Sequence, residues 1–113
     1  MACVTMAHLT VEEKRTAADA VLILVGEIDM ATAGELRSAA TTAIQNPPER
    51  LVLDFAGVTF CDSQGLSTLI SLNREVAAVG STLVLANVGD FMGRLLEITG
   101  LRAAFTMEDN SPA

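Results

Sequence analysis

Short, mostly aliphatic runs alternate along the chain with longer segments of helical spacing, and no other feature constrains the fold as much. The runs at 20–25, 51–55 and 82–86 are typical of strands covered on both faces. Apolar residues recur every three or four positions over 36–44 and 66–77, as in helices with one buried face. Strands alternating with helices of this length predict an α/β domain with a mixed, mostly parallel sheet and right-handed crossovers.

Smaller elements are predicted at both ends of this pattern. A polar strand over 9–15 and a turn over 16–19 form an opening β-hairpin with the first aliphatic run. Near the other end, Asp90 is expected to cap a short helix that Gly100 terminates, before a last short strand within 101–107. The expected domain therefore has four or five strands and about three helices.

The length of the chain, 113 residues, fits a single domain. Residues 1–8 are expected to be an N-terminal segment, 9–107 the domain and 108–113 a disordered tail. The longest stretch without Asp, Glu, Lys or Arg, Val76–Gly89, has 14 residues, fewer than the about 20 that a membrane-spanning helix needs. No secretory signal is visible at the start of the chain, so a cytoplasmic protein with reduced thiols is expected.

The composition argues against several classes of function. Seven Lys and Arg against fourteen Asp and Glu give a net charge of −7, which is unfavourable for binding nucleic acid or an anionic membrane. Cys3, Cys61 and His8 are the only Cys and His residues, too few for a four-ligand zinc site. The single lysine, Lys14, is not part of a phosphate-binding loop motif. No catalytic residue, metal or cofactor is therefore expected.

A further apolar segment at 58–61 leads into a turn at 62–65, where the second long helix is predicted to begin. The first N–H groups of a helix are unsatisfied donors with a partial positive charge, so this turn is a natural site for an anion. Ser63 is placed to accept a phosphoryl group there, which would add about −1.5 to −2 charge beside Asp62. The simpler interpretation is that Asp62 or Ser63 caps the helix. Cys61 is expected to be a small buried hydrophobe, with a redox role as the alternative.

The turn before the first long helix has two interpretations. Asp29 either anchors its own loop, which is the favoured interpretation, or faces a partner. Thr32 followed by Glu35 has the spacing of a capping box and predicts the start of the helix. Met30 and Met92 are expected to fill the core, with exposed contact residues as the alternative.

Four segments, in this order and spacing, resemble the STAS domain family and, within it, the bacterial anti-sigma factor antagonists. The segments are 26–33, 52–55, 60–66 and 94–101, within a match that runs from about Leu9 to Phe105. The resemblance implies a small α/β domain that binds an anti-sigma factor with serine-kinase activity and so frees a sigma factor. It also implies that phosphorylation of one residue at the start of the second helix abolishes this binding.

The resemblance places the phosphorylation site at Ser63, directly after Asp62, and Gly65 and Leu66 match their family positions as well. Partner binding is implied for Asp29, Asp62, Ser63, Gln64 and Gly65. Gln64 departs from the family pattern, which has a second small hydroxyl residue at this position. Either Ser63 is an ordinary phosphorylation switch, the favoured hypothesis, or Gln64 makes the domain a poor substrate that stays competent to bind.

The resemblance raises two further expectations. Family members usually carry another helix after the last strand, whereas no helical pattern follows Phe105 here. One side of the sheet is then expected to be less covered, which would favour a homodimer. The alternative function is a STAS subunit of a stress-sensing or lipid-transport assembly, because STAS domains also occur in such assemblies.

Overall fold

The computed structural model describes residues 8–108, in which three helices connect the strands of one sheet. The strands are β1 (Leu9–Arg15), β2 (Asp19–Ile28), β3 (Arg50–Cys61), β4 (Thr82–Ala86) and β5 (Thr106–Glu108). The helices are α1 (Ala33–Ala43), α2 (Ser63–Ala78) and α3 (Asp90–Ile98), and a single 3₁₀ turn at Arg102–Ala104 precedes β5. The predicted numbers of strands and helices are confirmed for this part of the chain.

The strands lie in the sheet in the same order as in the chain, β1-β2-β3-β4-β5. β1 and β2 are antiparallel, with Leu9 opposite Gly26 and Arg15 opposite Ala20, which confirms the opening hairpin. The other three pairs are parallel, and each needs a crossover that α1, α2 or α3 provides. The α/β class and the mixed, mostly parallel sheet are therefore confirmed.

The main core lies between the three helices and one face of the sheet. Its fully buried leucines come from every layer: Leu22 (β2), Leu53 (β3), Leu85 (β4), Leu36 (α1), Leu69 (α2) and Leu96 (α3). Burying one such side chain contributes roughly 1.5–3 kcal/mol, so these contacts hold the helix starts at defined positions beside the strand ends.

On the opposite face of the sheet, an ion-pair network covers a smaller apolar cluster. Val21, Val52, Val84 and Ala86 lie there and are at most 3% exposed. The guanidinium of Arg50 in β3 pairs with Asp19 of β2 at 2.9 Å and with Glu108 of β5 at 3.1 Å. Since β4 lies between β3 and β5, the ion pair between Arg50 and Glu108 crosses over β4 on this face. The expected homodimer stays a prediction.

β3 is longer than predicted and extends past the end of β4. The apolar segments 51–55 and 58–61 belong to one strand of 12 residues, whose pairing with β2 is interrupted by register shifts. Only Arg50–Asp54 pair with β4. The last residues of β3 therefore project beyond β4, towards the start of α2.

Two element ends differ from the prediction. Gly89, not Asp90, is the N-cap of α3, and Asp90 is its first helical residue. Glu108, which was placed in the tail, pairs with Ala86 as the last residue of β5. Gly100 has the expected left-handed conformation after α3, with φ 75°. The predictions for residues 1–7, including Cys3, and for the tail at 109–113 lie outside the described residues.

Candidate functional site

The strand-to-helix junction after β3 lies at the carboxyl ends of the parallel strands. Asp62 is the N-cap of α2, with extended backbone, and its Oδ1 accepts a hydrogen bond of 2.9 Å from the N–H of Gly65. Asp62 is thus the capping residue that the simpler interpretation allowed. The cap leaves Ser63 as the first residue of a 16-residue helix.

Ser63 and Gln64 are both exposed. Within residues 8–108, no acceptor takes a hydrogen bond from the backbone N–H of either residue. The start of an α-helix carries the equivalent of about +0.5 elementary charge. These two free N–H groups and the helix dipole therefore make the surface around Ser63 electrostatically suited to an anionic group.

Asp62 also ties the loop after β2 to the start of α2. Its second carboxylate oxygen, Oδ2, accepts from the N–H of Met30 at 3.3 Å, and its own N–H donates to the carbonyl of Ile28 at 3.1 Å. The two turns that were singled out separately in the sequence are thus neighbours.

Within that loop, Asp29 has the anchoring role that was favoured. Its Oδ1 accepts from the N–H of Ala31 at 2.9 Å and of Thr32 at 3.1 Å. The predicted capping box is wrong, because the Thr32 hydroxyl donates to the carbonyl of Glu27 at 2.7 Å and caps no N–H group of α1. Asp29 therefore fixes the shape of the loop after β2.

Gly65 is buried. Because it has no side chain, it contributes to the site through its small size. A Cβ at this position would lie 2.6 Å from the Sγ of Cys61 and 2.9 Å from the carbonyl oxygen of Ile28. Only glycine lets α2 begin this close to β2 and β3. Of the five residues predicted for partner binding, Ser63 and Gln64 are the two that are exposed.

Cys61 is the small buried hydrophobe that was expected. It is 3% exposed, and burial together with the charge of Asp62 raises the pKa of its thiol to about 12. The thiol is therefore protonated at neutral pH and is a poor nucleophile.

Two exposed aromatic residues beside the site were not predicted. Phe60, near the end of β3, is 42% exposed, and Phe91, in the first turn of α3, is 49% exposed. Their rings stack with centroids 6.3 Å apart and an interplanar angle of 21°. A signal for Phe60 was present in the sequence, because its neighbour Cys61 was expected to be buried and adjacent strand residues point to opposite faces.

Met30 and Met92, the two methionines near the site, differ in their exposure. Met92 fills the core as expected, whereas Met30 is 76% exposed and the core-filling prediction for it is wrong. Met30 lies in the loop that Asp62 holds against α2. Exposed apolar side chains therefore lie in the loop bound to Asp62 and near the end of β3 that precedes Asp62.

Two negative findings apply to residues 8–108. No helix in this range combines the length and hydrophobicity that crossing a bilayer requires. The same range contains no group of three His, Cys, Asp or Glu side chains placed to hold a metal ion.

Three comparisons with known proteins, by family model, by sequence and by structure, find the same kind of protein. The family model described as "Mlab, STAS domain" matches residues 11–107. The anti-sigma-B factor antagonist of Listeria monocytogenes serovar 1/2a (strain ATCC BAA-679 / EGD-e) is 33% identical over 95 residues, covering 83% of each chain. The crystal structure of an anti-sigma factor antagonist from Mycobacterium paratuberculosis superposes with a TM-score of 0.81 at 26% identity, covering 91% of this chain and 87% of that one.

A further solved structure is the Bacillus cell fate determinant SpoIIAA in its phosphorylated form. It has a TM-score of 0.70 and 25% identity, and the match covers 90% of this chain and 93% of SpoIIAA. The span of the family model, residues 11–107, includes all three helices and the turn around Ser63.

Proposed function

The chain belongs to the STAS domain family, and from this premise we propose that it is an anti-sigma factor antagonist, which binds an anti-sigma factor and so releases a sigma factor. The observation that carries the proposal is the exposed start of α2, where Ser63 and Gln64 have accessible side chains and N–H groups without an acceptor in residues 8–108. Relatives that bear this name cover most of the chain and support the same role. The protein then acts by occupying a partner's surface in the cytoplasm, without catalysing a reaction itself.

The proposed partner is an anti-sigma factor that is also a serine kinase. It transfers the γ-phosphoryl group of ATP to the Oγ of Ser63, with loss of the hydroxyl proton and release of ADP. The phosphate adds about −1.5 to −2 charge directly beside the Asp62 carboxylate. A partner surface that closes over neutral Ser63 would then have to desolvate an unpaired charge, so binding is lost.

Phosphorylation is tested by incubating the protein with the anti-sigma factor and ATP and measuring the intact mass. We expect the wild type to gain one phosphoryl group. The Gln64→Ser variant has the shorter residue that is usual in the family. We expect it to raise the rate of phosphorylation by up to about tenfold, which corresponds to a barrier to phosphoryl transfer that is about 1.4 kcal/mol lower. The bulkier amide next to the acceptor is the physical reason.

Two control variants make this measurement specific. Ser63→Ala should gain no phosphate, whereas Ser67→Ala, which removes an exposed hydroxyl one turn further along α2, should behave as the wild type. Modification of Gln64→Ser alone, with the phosphate located at Ser63 by fragmentation mass spectrometry, would mean that Gln64 keeps the natural protein in its binding-competent form. If neither the wild type nor Gln64→Ser accepts phosphate, the assignment of the anti-sigma factor as a kinase of this protein is wrong.

The general function is tested by isolating the protein with its partners from native cells. Recovery of an anti-sigma factor is expected. Recovery of stress-sensing or lipid-transport subunits in its place would contradict the proposal and favour the alternative function.

A further inference from the structure

We propose that the Asp62 carboxylate relays the phosphorylation of Ser63 to the loop at 29–32, between β2 and α1. The phosphate weakens the hydrogen bond that the N–H of Met30 donates to Asp62, so the loop is released from the start of α2. This inference rests on the proposed function, since it names a second consequence of the same phosphorylation. It makes Asp62 a positioning residue for the loop, in addition to the cap of α2.

The Asp62 carboxylate is shared between two segments of the chain. Its Oδ1 accepts from the N–H of Gly65 at 2.9 Å, within α2, and its Oδ2 accepts from the N–H of Met30 at 3.3 Å, in the loop. Most N–H···O hydrogen bonds have lengths of about 2.7–3.2 Å, so the bond to Met30 is the weaker of the two. A disturbance of the carboxylate therefore affects the loop before it affects the cap.

The other hydrogen bonds of the loop are internal to it. The N–H of Asp29 donates to Oγ1 of Thr32 at 2.9 Å, and the N–H of Ala31 donates to Oδ1 of Asp29 at 2.9 Å. The N–H of Met30 instead donates across to the start of α2. Loss of this bond therefore frees Met30, whose side chain is 76% exposed, while the internal bonds keep the loop folded.

The phosphate acts on the carboxylate through its charge. Ser63 directly follows Asp62, so a phosphate on its Oγ adds about −1.5 to −2 charge next to a carboxylate that is already negative. The N–H groups of Ser63 and Gln64 have no acceptor within residues 8–108, and together with the helix dipole they attract the phosphate. The phosphate thus occupies the helix start, and repulsion turns the carboxylate away from it and from Met30.

The test is amide hydrogen exchange, measured by NMR on the free protein with phosphoserine incorporated at position 63 during synthesis. We expect the N–H of Met30 to exchange at least about tenfold faster than in the unmodified protein, and that of Gly65 to change by less than about threefold. A nearby negative charge by itself slows base-catalysed exchange. Faster exchange at Met30 therefore reports loss of its hydrogen bond.

Two variants make this measurement specific. Ser63→Asn adds a polar side chain without a charge and should leave the exchange at Met30 within about twofold of the wild type. Asp62→Asn keeps a good N-cap acceptor for Gly65, but its NH₂ group, in place of the second carboxylate oxygen, cannot accept from Met30. Met30 should therefore exchange fast in Asp62→Asn without phosphate, and phosphoserine at position 63 should add less than about twofold to it.

The outcomes separate the relay from the proposed function. Unchanged exchange at Met30 in the phosphorylated protein would mean that the relay is wrong, while the proposed function stands because the charge then acts on the partner directly. Equal acceleration at Met30 and Gly65 would contradict the relay too, since the start of α2 would then open as a whole. If titration shows that the unphosphorylated protein does not bind the anti-sigma factor, the proposed function fails, whereas the exchange at Met30 still decides the relay.

Discussion

The Ser63→Asp variant is expected to bind the anti-sigma factor about 100-fold more weakly than the wild type. The new carboxylate lies beside Asp62 at the exposed start of α2, where a closely apposed partner has to remove its water. Leaving one charge buried and unpaired at an interface costs about 2–5 kcal/mol, and about 2.7 kcal/mol corresponds to the 100-fold loss. Isothermal titration measures the dissociation constant directly.

The matched control for this variant is Ser63→Asn, which has the same shape as aspartate without the charge. We expect its affinity to stay within about threefold of the wild type. The free energy of unfolding should not fall in Ser63→Asp, because an acidic residue in the first turn of a helix is stabilising by about 0.3–1 kcal/mol. Equal losses for Asp and Asn would mean that size, not charge, controls the contact.

The second large effect is expected for Gly65→Ala, which should lower the free energy of unfolding by about 2–3 kcal/mol. The added methyl group would overlap the Sγ of Cys61 at 2.6 Å and the carbonyl oxygen of Ile28 at 2.9 Å. The backbone carbonyl cannot move without disturbing β2, so the start of α2 has to shift outwards. Chemical denaturation followed by circular dichroism gives the difference in free energy.

Gly34→Ala is the control, because it makes the same chemical change in the first turn of α1. A Cβ there meets no atom within 4 Å. This variant should be neutral or more stable by up to about 1 kcal/mol, the usual gain from replacing a helical glycine where space allows. Equal stabilities of the two variants would contradict the close contact between α2 and β3.

The fold could be predicted to the level of its elements, because the aliphatic runs and the helical spacing each have a clear period. Details that depend on contacts between segments were missed. Thr32 has the spacing of a capping box with Glu35, but its hydroxyl bonds to Glu27 within the loop. The continuity of β3 was missed because the last part of this strand pairs with β2 alone.

The candidate site could be predicted in part. Asp62 and Ser63 were recognisable because a polar turn between a strand and a helix is a local pattern. The pairing of Phe60 with Phe91 depends on where α3 lies relative to the end of β3, and residues 31 positions apart give no local signal of contact. Met30 is exposed in a loop, and its N–H donates to Asp62, which is again a contact between distant segments.

Hydrogen–deuterium exchange of the free and partner-bound protein tests the central claim most directly. The N–H groups of Ser63 and Gln64 have no acceptor within the described residues, so they should exchange rapidly in the free protein. In the complex with the anti-sigma factor, peptides covering 60–66 should be strongly protected, while the turns at 16–18 and 45–49, at the other end of the sheet, should be unchanged. Protection of those distant turns with unaltered exchange at 60–66 would contradict the account.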